Sequence, residues 1–196
     1  MNETIWTENV ILADADYVDG VAFDLTVNFE RMLGRRIPPA DLARWAECVA
    51  LDGGVREGEH STSVILVHER SRQQLQNFSP ADYASELSGK AFNGPLGEFA
   101  LSVVQTEAMV AKEELFHDML QLIAQQKEVR RLMIVVAEPM VDALRSTLRK
   151  LDDDERRITL FTMQPVEGGA FRHEILGYSL MAALGISSSE IDEKLK

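Results

Sequence analysis

Four short apolar runs, Val10-Ile11-Leu12-Ala13, Val64-Ile65-Leu66-Val67, Leu132-Met133-Ile134-Val135-Val136-Ala137 and Ile158-Thr159-Leu160-Phe161, constrain this chain more than any other feature. Runs of this length with so little polar interruption suit strands covered on both faces, the situation of a parallel sheet. The segments between them change to a helical period. Val18, Val21, Ala22, Leu25, Phe29, Met32 and Leu33 recur at three- and four-residue steps and stop at Gly34, a left-handed cap. A second helix is expected from near Pro39 through Leu42, Trp45, Ala46 and Val49, ending at Asp52-Gly53-Gly54.

Ser79-Pro80 and Asp82 then mark a short helix reaching Leu87, while residues 69–77 read as charged and loosely ordered. Phe99, Leu101, Val103 and Val104 alternate, which suggests an edge strand. Thr106 is expected to cap a long helix through Ile123. Another helix, carrying Val141, Leu144, Leu148 and Leu151, runs into the acidic turn Asp152-Asp153-Asp154-Glu155. A last helix is expected over residues 171–184, and the tail from residue 187 is expected to be flexible. Strands alternating with helices predict a single α/β domain over residues 1–186, a three-layer α/β/α arrangement around a mainly parallel sheet of about five strands.

Composition narrows the function classes. The net charge of −12 disfavours a broad nucleic-acid-binding surface. A single cysteine, Cys48, excludes an internal disulfide and a cysteine-based zinc site. No apolar run approaches the roughly 20 residues of a membrane span, and no basic-then-apolar leader opens the chain. The expectation is a cytoplasmic protein with no membrane partner. Asp52-Gly53-Gly54 and Gly168-Gly169 lack the spacing of a phosphate-binding fingerprint and read as turns. His60, His68, His117 and His173 show no paired metal spacing.

Asp14 and Asp16 end the first strand, and ligands of open α/β sheets bind beyond the carboxyl ends of strands. Glu138 ends the fourth run, and Glu113 and Glu114 sit early in the helix after the third strand. If the first and fourth strands are neighbours, Asp14, Asp16, Glu114 and Glu138 share a crevice. Hard cations such as Mg²⁺ or Mn²⁺ are held by a few such oxygens and can activate water against a phosphodiester. The competing expectation is that these acids cap helices and solvate loop ends. The basic pairs Arg35-Arg36, Arg130-Arg131 and Arg156-Arg157 all fall at the opposite edge of the sheet.

The order of elements resembles the PIN-like nuclease fold, and in particular its NYN branch, within the wider Rossmann-like group. The likeness is carried by Ile11-Leu12-Ala13-Asp14-Ala15-Asp16, by Lys112-Glu113-Glu114-Leu115, and by Val135-Val136-Ala137-Glu138-Pro139-Met140. It implies a divalent-metal nuclease or phosphodiesterase. Glu138 replaces the first Asp of the family's acidic turn and Met140 stands where a second is expected, so a catalytically degenerate binding or assembly module is the leading expectation. Over its whole length the chain also resembles an uncharacterised protein family of Bacteroidota. That likeness rests on Tyr17-Val18-Asp19-Gly20-Val21-Ala22-Phe23-Asp24, on the stretch from Asn28 to Arg36, and on Glu174-Ile175-Leu176-Gly177-Tyr178-Ser179-Leu180-Met181-Ala182-Ala183-Leu184-Gly185. It implies no activity. The apolar girth of the last helix, from Phe171 to Leu184, predicts that it is covered twice, by the sheet and by a second copy in a homo-oligomer, or else within the monomer by the loop from Glu69 to Asn77 or by Trp45's helix.

Overall fold

The first apolar run folds as strand β1 (Asn9–Asp14), every residue of which is buried. The computed structural model describes residues 6–151, 155–169 and 171–196; the acidic run Asp152-Asp153-Asp154 lies outside the described residues. Helix α1 (Ala15–Leu33) leaves β1 directly, because Asp14 caps it by accepting the Tyr17 N–H at 3.1 Å. Gly34, at φ 67°, ends it with its N–H on the Glu30 carbonyl. After β2 (Ala40–Asp41), helix α2 (Leu42–Asp52) is capped by Asp41. Strand β3 (His60–His68) contains the second run, and β4 (Phe78–Ser79) pairs with β2 in a separate two-stranded ribbon. The short helix expected before Leu87 is a single π turn, Tyr83–Leu87, capped by Asp82.

Strands β5 (Ala91–Gly94) and β6 (Gly97–Gln105) form an antiparallel hairpin. There follow α3 (Lys112–Ala124), β7 (Arg131–Val135), α4 (Glu138–Leu151) and β8 (Arg157–Thr162). The chain closes with β9 (Arg172–Ile175), α5 (Leu176–Ala183) and α6 (Ser188–Leu195). The sheet order is β5-β6-β3-β1-β7-β8-β9, parallel throughout except for the β5–β6 pair.

This is the α/β fold expected, a mainly parallel sheet flanked by helices, with seven strands rather than about five. The pleat explains the unbroken runs. Ile11 and Ala13 face a core shared with α1, α2 and α5, whereas Val10 and Leu12 face one shared with α3 and α4. Among the described residues no helix is long and apolar enough to cross a membrane.

Three local expectations need correction. Strand β6 is not an edge: β5, which the sequence did not mark as a strand, lies outside it and takes that role. The helix expected from Thr106 begins only at Lys112, because the Thr106 hydroxyl is used elsewhere, accepting the Arg70 N–H and donating to Glu69. The helix expected over 171–184 is interrupted: Arg172–Ile175 extends the sheet beside β8, where an unpaired strand would otherwise remain. Residues 188–195 form α6, joined to the domain by two hydrogen bonds from Arg35 to Glu190. Helix α5 packs against α2 and α1, and Leu176, Leu180 and Ala183 are buried with Trp45 in one core. Its exposed large side chain is Tyr178, at 72 %.

Candidate functional site

The strand order places β1 at the centre, with the chain building outward to β3 and β6 on one side and then to β7, β8 and β9 on the other. The carboxyl ends of β1 and β7 therefore flank the point where the order reverses, the usual ligand crevice of such sheets. A Rossmann-type site would present glycine amides and the start of a helix to a phosphate here. This chain presents Asp14 and Asp16, which repel one.

What fills the crevice is an ammonium. Nζ of Lys112, from the first residue of α3, lies 3.0 Å from Asp14 Oδ1 and 2.8 Å from Asp16 Oδ2, with Glu69 Oε1 at 3.8 Å. The three side chains of the central group are largely out of water, at 14 % exposure for Lys112, 7 % for Asp14 and 11 % for Asp16. Burial pushes the Asp14 carboxyl up, and the neighbouring Lys112 offsets only part of that. Burial acts to lower the Lys112 value, but its bonds to Asp16 and Asp14 outweigh it and raise the net value above the ordinary lysine range. Lys112 is thus held charged, which makes it a counter-ion and not a nucleophile or base.

The loop after β3 wraps this pair. Glu69 donates its N–H to Asp16 Oδ2 at 2.7 Å, and Arg72 Nε stands 3.5 Å from Asp16 Oδ1. That second oxygen is buried without a hydrogen bond. Further along, buried Asp19 accepts the N–H groups of Gln76 and Asn77, so the loop read as loosely ordered is fastened at both ends. The His68 ring stacks on Tyr83 with centroids 3.8 Å apart and planes at 8°. Burial, then Asp16 and Asp19, push the Tyr83 phenol well up. A pocket of about 160 Å³, lined by His68, Arg72, Tyr83 and Ser88 among others, opens beside the stack.

The other predicted residues are only partly gathered. Strands β1 and β7 are neighbours, as the shared-crevice argument required. Glu138, however, turns to accept the Gln164 N–H at 2.8 Å. Tyr17 lies within the influence of both acids: burial, then Glu138, then Asp14 raise its phenol to about 12. Glu114 is exposed on α3. Among the described residues no group of three or more His, Cys, Asp or Glu side chains is arranged to hold a metal ion. Two of the four carboxylates, Asp14 and Asp16, already share an internal cation, Lys112.

Residue-type reasoning looked for acids and overlooked the cation. Lys112 stood next to Glu113 and Glu114 in the quoted motif, and its sign was the available signal: a lone lysine opening a helix, where positive charge is electrostatically disfavoured, needs a reason. Asp19, Glu69 and Arg72 carried no comparable mark.

No curated protein and no solved structure matches this chain. Residues 3–191 match the model of a family of unknown function (DUF6621), and the chain belongs to that family.

Proposed function

We propose that the protein is a binding or assembly module on a PIN-like frame, one whose acidic crevice has exchanged a metal ion for a lysine. The observation that supports this reading is the Lys112 ammonium, shared between Asp14 and Asp16 at 3.0 and 2.8 Å. Such a cluster neutralises the crevice and fixes the loop of Glu69 and Arg72 over it, a role in shape and specificity and not in bond cleavage. A second reading, a metal-dependent phosphodiesterase, draws on one feature, the buried Asp16 Oδ1 that accepts no hydrogen bond. It requires an incoming Mg²⁺ or Mn²⁺ to displace the ammonium. For self-assembly through the last helix, the exposed group available is Tyr178.

Thermal unfolding with millimolar Mn²⁺ or Mg²⁺ separates the two. A ligand that binds only the folded chain raises its melting temperature. On the module reading the parent chain shows no shift, and Lys112→Ala, which frees both carboxylates, acquires one. A shift in the parent that disappears in Asp14→Asn overturns the module reading. Sedimentation of the parent chain against Tyr178→Glu tests assembly through α5.

A further inference from the structure

The amino ends of the same strands hold a second group of charges that the acidic crevice does not explain. A cleft of about 680 Å³ is lined there by Arg130, Arg131, Arg156, Arg157 and Arg172, against two glutamates. Two of the three basic pairs seen in the sequence meet in it. The third is diverted, since Arg35 holds Glu190 on α6.

The arginines are placed against their own repulsion. Arg131 and Arg157 stand directly opposite each other on β7 and β8, where like charges destabilise a sheet. Burial, followed by the charges of Arg172, Arg131 and Arg56, holds Arg157 below the ordinary arginine value. Arginine does not escape such repulsion by losing its proton at any accessible pH. Helix C-termini at this edge account for scattered positive charge, but not for two guanidiniums in cross-strand register.

Among the described residues Arg131 lies 3.2 Å from Glu8, Arg130 is 3.7 Å from Glu155 with both side chains exposed, and Arg156 donates to the Val129 and Gln126 carbonyls. Arg157 Nε is buried with no hydrogen-bond partner. Room for its guanidinium is made by Gly54: a Cβ there would sit 2.7 Å from Arg157 Nη1, at a backbone φ of +103°. The fold thus holds one unpartnered guanidinium nitrogen, on a half-buried Arg157, beside other arginines in a space of small-molecule size.

We infer that this cleft binds a compact ligand carrying two or more phosphoryl groups. Guanidinium forks match phosphate oxygens in pairs, so several converging forks favour several such groups. Ile158 and Phe171 add an apolar wall for the remainder of the ligand. A long polyanion is disfavoured, because beyond the cleft it meets a protein of net charge −12.

Calorimetric titration of the full chain with inorganic tripolyphosphate tests this, with citrate and a short single-stranded DNA as comparisons. Saturable tripolyphosphate binding is expected, weakened about tenfold by loss of one charge-assisted contact. Arg157→Gln and Arg172→Gln should each do this, the second at an exposed side chain whose replacement leaves the fold intact by circular dichroism. Arg31→Gln, on the exposed side of α1, should bind as the parent does. Absence of saturable binding at millimolar tripolyphosphate, or undiminished binding by the folded Arg172→Gln chain, overturns the site. Citrate binding as tightly overturns the phosphoryl assignment, and tighter binding of the DNA overturns the compact-ligand assignment.

Discussion

The two ends of one set of parallel strands treat charge in opposite ways. At the carboxyl ends Asp14 and Asp16 are answered from within the chain by Lys112, at 3.0 and 2.8 Å. At the amino ends Arg131 and Arg157 face each other across β7 and β8, and one guanidinium nitrogen is buried without an acceptor. A cluster closed by its own counter-ion has little left to offer a ligand. A cluster left open gains from any anion that enters. The end that a fold-level argument marks as the site therefore holds its own counter-ion, with Asp16 Oδ1 still lacking a hydrogen bond, and the end it ignores sets like charges side by side.

Removing the internal counter-ion should produce the largest effect. Lys112→Met leaves two buried carboxylates without their cation and is expected to cost about 3 kcal/mol in urea unfolding at neutral pH. Part of the loss should return on acidification, since Asp14, already raised, then accepts a proton. An unchanged midpoint would mean that the acidic end is as open as the basic one.

At the basic end, Gly54→Ala is expected to cost about 2 kcal/mol from a strained backbone and a clash with Arg157. Gly89, at φ +70° with nothing near its missing Cβ, provides the comparison; Gly89→Ala should cost roughly half as much. Equal costs would show that the guanidinium is free to move away from Gly54.

The pH dependence of stability should sharpen the contrast from the carboxyl end. The Tyr17 phenol is raised from 10.0 to about 12 in the folded chain, so the folded state holds its proton more tightly than the unfolded state. Its contribution is fully present below pH 10 and is lost as the pH rises toward 12. The raised Lys112 acts in the same direction. Chemical unfolding at pH 8 and at pH 11 should show a fall that is shallower in Tyr17→Phe, and a parallel fall in both chains would reject the assignment to Tyr17.

The smallest effect is expected where an arginine is already paired. Arg35 and Glu190 form a half-exposed ion pair near the surface, and such pairs contribute little to global stability. Glu190→Gln should leave the melting temperature within error while increasing hydrogen exchange in α6. A large drop would place Arg35 among the charges that matter at that end.

The apolar runs were sufficient to identify β1, β3, β7 and β8 and the helices between them, because a strand buried on both faces has little choice of residue type. Gly34 was recognisable as a cap for an equally local reason, its left-handed backbone. The four-residue strands β5 and β9 were not recognisable. Each is half exposed and depends on pairing with a partner strand, β6 or β8, already in place. At the candidate site, Asp14 and Asp16 were identifiable by their position after an apolar run, and the neighbourhood of β1 and β7 follows from strand order. Glu114 and Glu138 looked equivalent to them in sequence, but one is exposed and the other is held by the Gln164 backbone.

By itself the sequence determined the layers of this protein, the ends of its central strands and the sign of the charges carried there, since periodicity, caps and residue type are local properties. Only the tertiary structure decided which charges meet. Lys112 is 98 residues from Asp14, and Arg131 is far from Arg157 along the chain; their encounters follow from sheet order and register. That is why an opposite charge sits between the acids at one edge while like charges stand side by side at the other.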